Sequence, residues 1–394
     1  MPKLWNRDYC KTMVSNFMLF FSFYLLTPLL PIYLDEQFHA DKDLIGLVLS
    51  GYIVAALVVR PFSGFLVDSF PRKTVLLVCF FAFFILFTGY IGAGTILMFA
   101  IVRTLHGLPY GATTVANSTV AIDVLHPSRR SEGIGYYGLS NNIAMAIAPS
   151  VGIFIYKVSG SFQLLFWISL FVAALGVVAV ATIRTRPREL ATERPPLSLD
   201  RFFLKVAWVP ALNIAFFSLC WGVMSNYVAL YGKLCLGITD GTGIFFALLS
   251  GGLIVSRLSG AKSLRQGLLT RNAIMGGLIS CVGFTLFALA LGKWSYFASA
   301  VFIGLGNGKM YPAFLNMFNS LALPSQRGTA NSSILTSWDA GMGIGILIGG
   351  VLIEYVGFSA AFWATAVSQI SATLMAIFIS RPYFRRHSLD PALR

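Results

Sequence analysis

Residues 332–350 read SSILTSWDAGMGIGILIGG and contain one charged side chain, that of Asp339. Asp339 is also the only charged residue in the stretch of 26 residues between Arg327 and Glu354. A run of this length with a single charged residue can cross a bilayer as a helix. A carboxylate near the centre of such a helix costs about 2.5 to 3.5 kcal/mol, so it needs a partner, a proton or a water-filled cavity.

The composition of the whole chain also indicates an integral membrane protein. Hydrophobic residues make up 57% of the 394 residues and charged residues 11%, whereas soluble domains carry about 25% charged residues. At the N-terminus, Lys3, Arg7 and Lys11 precede a long apolar run that lacks a small-residue cleavage site. We therefore expect this run to remain as the first helix and not to be removed as a signal peptide.

The uncharged runs and the charged breaks between them predict an all-α polytopic membrane protein with twelve transmembrane helices. Residues 184–205 are rich in proline and charge and predict a cytoplasmic linker between two pseudo-symmetric six-helix bundles, residues 1–183 and 206–380, with a cytoplasmic tail at 381–394. The predicted helices are 12–34, 44–67, 73–93, 95–122, 131–156, 161–183, 206–232, 240–260, 270–291, 294–320, 328–353 and 358–380.

The basic residues predict the orientation of the chain. About 22 lysines and arginines fall in the N-terminus, the even-numbered loops and the C-terminus, against four lysines in the odd-numbered loops. Both termini are therefore expected in the cytoplasm, with the protein spanning the cell membrane many times, here taken as the bacterial inner membrane. The net charge of +14 is explained by this asymmetry, so no nucleic-acid partner is expected.

The two halves resemble copies of each other at an offset of 197 residues. Such a duplication is typical of secondary transporters, which hold the substrate near the midplane between the repeats. The matched pairs are Arg60 and Arg257, Gly107 and Gly304, Gly111 and Gly308, Pro127 and Pro324, Arg130 and Arg327, Gly152 and Gly349, and Asn142 with Asp339.

Residues 64–77, GFLVDSFPRKTVLL, resemble the loop signature G-x-L-a-D-r-x-G-R-[RK] of the major facilitator superfamily, although Ser69 and Pro71 depart from it. The predicted fourth helix carries RTLHGLPYGATTVA, similar to that family's R-x-x-x-G-x-x-x-[GA] pattern. The fifth carries AIAPSVG, similar to the G-P-x-x-G-G element of its proton-coupled exporters. The signature residues in this chain are Gly64, Leu66, Asp68, Arg72 and Lys73 in the loop, Arg103, Gly107 and Gly111 in the fourth helix, and Pro149 and Gly152 in the fifth.

The resemblance implies a conformational latch formed by Gly64, Asp68, Arg72, Lys73 and Asp123. In the family the loop aspartate lies against the start of the eleventh helix, whose positive dipole end favours it, and the arginine pairs with an acid that ends the fourth helix. The alternative is that Arg72 and Lys73 only set the topology.

Pro149 can kink the predicted fifth helix, and Gly152 lets another helix approach it closely. Together these two residues predict a hinge in that helix.

Four residues are candidates for proton coupling: Asp339, Lys309, Arg103 and His106. Asp339 either carries the proton or forms a structural pair with Lys309. Arg103 either supplies a fixed charge in a central cavity or extends outward to the membrane surface. His106 is either packed and hydrogen-bonded or a proton carrier.

A mixed aromatic and amide set predicts a substrate cavity suited to a ligand with apolar and polar parts. Each member alone could also be a packing or interface residue. The set is Tyr24, Asn142, Trp221, Asn226, Tyr311 and Trp338.

These features predict a secondary transporter, driven by protons, that exports a small amphipathic metabolite or drug. A proton-coupled importer or a uniporter is the alternative within transport, and a membrane receptor or a polytopic enzyme is the alternative outside it. The sequence has no metalloprotease, nucleophile-elbow or P-loop motif, and its five cysteines have no paired spacing. We expect no enzyme activity, metal or cofactor, and a monomer that works with a small-molecule substrate, protons and the lipid bilayer.

The predicted orientation can be tested by cysteine labelling in a cysteine-free variant. A cysteine placed at 35–43 should react with a membrane-impermeant reagent from outside intact cells, and one placed at 184–205 should react only after permeabilisation. The opposite pattern would reverse the topology.

Overall fold

The computed structural model describes residues 3–40, 42–185, 201–238, 241–289 and 291–389, and the regular structure in these ranges is helical. The prediction of an all-helical protein is confirmed. The α-helices are α1 (Arg7–Leu26), α2 (Leu30–Phe38), α3 (Lys42–Ser69), α4 (Arg72–Ile91), α5 (Ile96–Asp123), α6 (Arg130–Ser159), α7 (Phe162–Ala181), α8 (Trp208–Leu236), α9 (Gly241–Arg265), α10 (Leu269–Leu289), α11 (Lys293–Leu321), α12 (Arg327–Tyr355), α13 (Phe358–Met375) and α14 (Arg381–His387).

Each predicted transmembrane helix has a helical counterpart, but the first is not continuous. Helices α1 and α2 meet at a bend of 42°, where a single helix over 12–34 was predicted. Pro28 lies in the break and Pro31 in the first turn of α2. Proline has no N–H to donate and clashes with the preceding turn, so two prolines three residues apart favour a break at this point. At the other end, a π-helical turn, Ala376–Ser380, joins α13 to α14.

Length and apolar composition qualify nine of the described helices as membrane spans, or ten if α1 and α2 count as one. The two remaining long helices, α5 and α11, carry more polar residues. Most of their side chains are buried among other helices and not exposed. They can therefore be polar without presenting polar groups to lipid.

The surface of the helices supports this membrane environment. On α7, large apolar side chains are exposed at helical spacing. A stripe of this kind is rare on soluble monomers and is expected where a helix faces lipid. The stripe consists of Leu164, Trp167, Phe171, Leu175 and Val178.

The chain forms two compact units that exchange short segments. Unit 1 contains Met1–Arg129, Ser140–Phe203 and Ser325–Ser332, and unit 2 contains Arg130–Leu139, Leu204–Pro324 and Ser333–Arg394. The first turns of α12 thus belong to unit 1 and the remainder to unit 2. Helix α6 is divided in the opposite way.

The predicted linker at 184–205 is described only at its ends, since residues 186–200 lie outside the described residues. Residues 201–203, near its end, belong to unit 1. The guanidinium of Arg201 donates to the Ser69 hydroxyl at 3.1 Å and lies 4.4 Å from the centre of the Phe65 ring. This end of the linker is therefore anchored beside the turn between α3 and α4.

Glycines set the packing of α5 against α3 within unit 1. A Cβ added to Gly107 would collide with the carbonyl oxygen of Tyr52, and one added to Gly111 would lie 2.7 Å from the carbonyl oxygen of Ala56. Only glycine lets the two backbones approach this closely. The R-x-x-x-G-x-x-x-G pattern thus fixes where Arg103, one turn before Gly107, meets α3.

The same packing recurs in unit 2 between α11 and α9. Gly304 lies against the carbonyl oxygen of Leu249, and a Cβ on Gly308 would lie 2.7 Å from that of Leu253. Each of these residues lies 197 positions after its counterpart in unit 1. The offset holds for the two glycines of α11 and for the two residues of α9 that they contact. The internal duplication therefore preserves the register of helix packing.

We expect Gly107→Ala to destabilise the protein by about 1 to 3 kcal/mol, because the added methyl group meets backbone that cannot move aside. Gly251→Ala is the matched control, since this α9 glycine has open space around its Cβ position. The measurement is the melting temperature of both purified variants. Equal melting temperatures would contradict the close-packing account.

Candidate functional site

The turn between α3 and α4 places two opposite charges together. Helix α3 ends at Ser69, and Pro71 is the N-cap of α4. Asp68 and Arg72 are four residues apart, and the Arg72 Nη2 atom lies 3.0 Å from Asp68 Oδ1. Both side chains are largely buried.

Asp68 also caps the N-terminus of α12. Its Oδ1 accepts from the Gly328 amide at 2.8 Å, and its Oδ2 accepts from the Thr329 amide at 2.8 Å and the Thr329 hydroxyl at 2.9 Å. A carboxylate at this position is favoured by the unpaired N–H groups and the positive end of the helix dipole. These contacts lie within unit 1, which contains the Ser325–Ser332 segment.

Two glycines permit this approach. A Cβ on Gly64 would collide with the Ser332 hydroxyl, and one on Gly328 would lie 2.7 Å from the Gly64 carbonyl oxygen. Gly64, predicted as a latch residue from the signature, is therefore in contact with the segment that Asp68 caps.

A second carboxylate continues the ion-pair network. Asp123, the last residue of α5, contacts Arg72 Nη1 through Oδ2 at 2.6 Å and Arg327 Nη1 through Oδ1 at 3.0 Å. Charges thus alternate from Asp68 to Arg72, Asp123 and Arg327. The contact between Arg327 and Asp123 was not predicted, because nothing in the local sequence of Arg327 indicates a carboxylate partner.

Lys73 lies outside this network. Its Nζ atom donates to the carbonyl oxygen of Ala181 at 2.9 Å, at the end of α7. A lysine there compensates the unpaired carbonyl groups and negative dipole end of that helix.

Arg103 is buried inside unit 1 among aromatic rings. Arg103 is only 6% exposed. The guanidinium carbon lies 4.1 Å from the Tyr52 ring centre and 5.6 Å from that of Phe23, and Nη1 is 3.5 Å from the Tyr90 hydroxyl. In the described part of the chain no carboxylate pairs with Arg103. Its position inside the bundle differs from that of an arginine extending to the membrane surface.

His106 lies one turn further along α5 and is fully enclosed. Its Nε2 atom is 2.9 Å from the carbonyl oxygen of Phe83, and its Nδ1 atom is 3.0 Å from the Tyr90 hydroxyl. A neutral imidazole with its proton on Nε2 satisfies both contacts, because the Tyr90 hydroxyl can then donate to Nδ1. Tyr90 thereby connects Arg103 to His106.

Asp339 and Lys309 are both half-buried in unit 2, on α12 and α11. Next to Asp339, Trp338 packs its ring 5.2 Å from that of Tyr311 and 6.1 Å from that of Trp221. Three of the predicted cavity aromatics therefore form one cluster, and one of them, Trp338, is the sequence neighbour of the membrane carboxylate.

The other predicted cavity residues are in separate places. Tyr24 is half-buried on α1 against Phe23, at a ring distance of 5.2 Å. Asn142 is buried in unit 1, and its amide nitrogen has no partner there. Asn226 is exposed, and its amide donates to the carbonyl oxygen of Gly222 in its own helix at 3.0 Å.

The predicted hinge residues lie in an unbroken helix. Helix α6 continues through Pro149, and a Cβ on Gly152 would collide with the Leu25 carbonyl oxygen of α1. Gly152 is therefore a point of close helix contact.

A buried amide cluster in unit 1 was not predicted. Asn117 of α5 donates to Asn16 of α1 at 3.3 Å, and Asn16 donates to Ser140 of α6 at 2.8 Å. Asn331 of α12 donates to Thr119 at 2.9 Å. Polar residues at helical spacing in α5, Thr113 to Thr119, were the available signal. In the described ranges no three His, Cys, Asp or Glu side chains gather into a possible metal site.

The family model of the Major Facilitator Superfamily matches residues 12–296 and 271–393. The chain belongs to this superfamily. Transporters of the superfamily act on small molecules in the membrane, and the chain is accordingly a multi-pass membrane protein.

Two relatives of established name are bacterial proteins. The chain is 22% identical to the staphylopine export protein of Staphylococcus aureus (strain Mu50 / ATCC 700699) over 385 residues, which covers 91% of this chain and 94% of the relative. It is 23% identical to the quinolone resistance protein NorA of Staphylococcus aureus (strain MRSA252) over 378 residues, covering 92% and 94%.

Solved structures support the fold. The human organic anion transporter MFSD10 (TETRAN) superposes with a TM-score of 0.80 at 15% identity, covering 95% of this chain and 100% of that one. The proton:xylose symporter XylE superposes with a TM-score of 0.77 at 13% identity, covering 94% and 95%.

Removing the charge of Asp68 should weaken the network around α12. Hydrogen bonds to charged groups contribute about 1.5 to 3 kcal/mol each, so we expect Asp68→Asn to lower the melting temperature by on the order of 5 °C. Arg327→Gln should have a smaller effect, because Asp123 keeps its contact with Arg72.

The control for this experiment is Asp35→Asn, which neutralises an exposed acid on α2. Melting curves of the purified variants give the comparison. An Asp68→Asn protein as stable as the control would show that the carboxylate adds nothing to the structure.

Proposed function

We propose that this protein is a secondary active transporter that exports a small amphipathic metabolite or drug in exchange for protons, by alternating access. The observation that carries the proposal is that one helix, α12, bears both the latch partners and the membrane carboxylate. Gly328 and Thr329 bind Asp68 in unit 1, and Asp339 lies in unit 2. Gly328 and Thr329 lie about 15 to 17 Å from Asp339 along the helix, at 1.5 Å per residue. A rigid helix can transmit a change at one of these points to the other.

In this proposal the latch is formed in one state of the cycle and released in another. Asp68, Arg72, Asp123 and Arg327 hold the Ser325–Ser332 segment through charge-assisted bonds that can form again without covalent change. Lys73 supports the end of α7 and sets topology. Gly64 is required because a side chain there would separate α3 from the segment.

Asp339 is the proposed proton site. It lies in an otherwise uncharged membrane stretch and is half-buried, so a change in its protonation changes the cost of placing α12 in lipid or water. His106 is proposed to be structural, since both of its ring nitrogens already have partners. Lys309 and Arg103 supply fixed positive charges, on α11 and α5.

The substrate class follows from the aromatic cluster. Tyr311, Trp221 and Trp338 offer flat apolar faces, and Asp339 follows Trp338 in the same helix, so the region combines apolar and charged groups that suit an amphipathic ligand. Tyr24, Asn142 and Asn226 are proposed as further contacts. Export is proposed because the named relatives are a staphylopine exporter and a quinolone resistance protein.

A proton-coupled importer or a uniporter is the second candidate. The fold is shared with a proton:xylose symporter, whose name gives coupled movement of proton and solute in one direction. A receptor that does not transport, or a polytopic enzyme, is a more distant alternative. We further propose that the protein is a monomer without a cofactor and that both termini are cytoplasmic.

The experiment that separates these candidates uses proteoliposomes, candidate substrates and a pH gradient of either sign. An exchanger accumulates substrate on the proton-rich side, and a symporter accumulates it on the other side. A uniporter equilibrates substrate regardless of the gradient. Absence of flux for a broad substrate set would favour a receptor or an enzyme.

We expect Asp339→Asn to retain downhill exchange and lose accumulation against a gradient. One exchanged proton supports about a tenfold concentration ratio per pH unit, and each 100 mV of membrane potential adds about 2.3 kcal/mol. In the variant this ratio should fall to about one. Glu354→Gln is the matched control, because Glu354 is an exposed acid at the far end of the same helix.

The structural alternative for Asp339 gives a different result. If the residue only balances Lys309, Asp339→Asn should express poorly, and a second change, Lys309→Gln, should restore expression. A well-folded Asp339→Asn protein that still accumulates substrate with an unchanged pH dependence would exclude Asp339 as the proton site.

A further inference from the structure

A basic cavity lies in unit 2, at the end of the contact between α10 and the α13–α14 rod. Its volume is about 480 Å³, within the range of small-molecule pockets. Three arginines line it, Arg271 of α10 and Arg381 and Arg385 of α14, together with Thr270, Gln266 and Met275. No acidic residue is among its lining residues.

The three guanidinium groups are available to a ligand. In the described part of the chain they make no ion pair and no hydrogen bond. All three side chains are exposed. Three unpaired guanidinium groups around one concave site favour a group with several negative or acceptor oxygens, and arginine matches phosphate with paired parallel hydrogen bonds.

Two stripes of exposed apolar side chains, one on α10 and one on the α13–α14 rod, end at the cavity. On α10 the exposed residues Met275, Leu278 and Val282 follow Arg271 at helical spacing. Along the α13–α14 rod an exposed apolar stripe leads to Arg381 and Arg385. That stripe consists of Val367, Ile370, Leu374 and Phe378.

These stripes border one groove, since α10 and α13 are in contact below the cavity. Gln369 donates to the carbonyl oxygen of Gly277 at 3.4 Å, and Cys281 lies 3.3 Å from the Thr373 hydroxyl. An acyl chain can lie along the apolar stripes while its headgroup reaches the arginines. A soluble phosphate ion has no apolar group that could bind to these stripes.

The arginines of α14 are held by a fixed scaffold. Ser380, in the π-helical turn, donates to Asn213 at 2.9 Å, and the Tyr383 hydroxyl donates to the carbonyl oxygen of Val206 at 3.0 Å. The amide of Leu389 donates to the carbonyl oxygen of Ser320 at 3.0 Å. The rod therefore presents Arg381 and Arg385 in a defined place, and π-helical turns are frequent at functional sites.

We propose that this cavity binds the phosphate ester of an anionic membrane phospholipid. Arg271, Arg381 and Arg385 bind the phosphate oxygens, and the apolar stripes of α10 and the α13–α14 rod bind the acyl chains. Basic pockets between membrane helices at the headgroup level are suited to such lipids. The site is independent of the direction or coupling of transport.

The test is native mass spectrometry of the full-length protein in detergent, titrated with phosphatidylglycerol and, separately, with zwitterionic phosphatidylcholine. The wild type should bind phosphatidylglycerol in preference. Each of Arg271→Gln, Arg381→Gln and Arg385→Gln should weaken this binding about fivefold, as expected for removal of one basic residue at a lipid headgroup. Phosphatidylcholine binding should not change.

Arg386→Gln is the matched control, because Arg386 is exposed on the same helix and does not line the cavity. Its binding should equal that of the wild type, and size-exclusion profiles should show that all variants are folded. Equal weakening in Arg386→Gln, or no weakening in the three cavity variants, would overturn the proposal. Displacement of the lipid by inorganic phosphate at equal concentration would also overturn it, because the site would then bind free phosphate.

Discussion

The carboxylate of Asp68 is the interaction on which the arrangement of unit 1 depends. It receives the Gly328 amide, the Thr329 amide and hydroxyl, and one Arg72 nitrogen, all within 3.0 Å. A largely buried carboxylate with this many donors is stable only while they remain in place, because an unpaired buried charge is costly. The donors come from the second half of the sequence as well as from α4. The bond therefore fixes the start of α12 on unit 1.

The helix packing around this carboxylate is repeated in unit 2, but the negative charge is not. At the repeat offset of 197, Gly64 and Ser332 correspond to Ala261 and Gly135, and a Cβ on Gly135 would lie 3.9 Å from the Cα atom of Ala261. The residue equivalent to Asp68 is Arg265, which has the opposite charge. The close helix contact is therefore present in both units, whereas the carboxylate cap is present at this position in unit 1 and not at the equivalent position in unit 2.

Contacts could be predicted from the local sequence where the residue types and their spacing determine them. The pair Asp68 and Arg72 is one helical turn apart, and Gly107 and Gly111 are spaced to admit a neighbouring helix, so the motif predicts their surroundings. The contacts of Arg327 with Asp123 and of Arg103 with Tyr52 join distant parts of the chain. Tyr52 reads as one more apolar position in α3. The break between α1 and α2 was predictable from Pro28 and Pro31 but was hidden by the continuous apolar run. The cavity at Arg381 depends on a π-helical turn that no sequence pattern indicates.

In the proposed transport cycle, the bond between Asp68 and the start of α12 forms and breaks. Hydrogen–deuterium exchange of the Gly328 and Thr329 amides in proteoliposomes tests it most directly, because these two amides donate to the carboxylate. They should be protected in the resting protein and should exchange when a pH gradient and a transported substrate are both present. If substrate crosses the membrane while both amides keep their resting protection, the bond is not a latch.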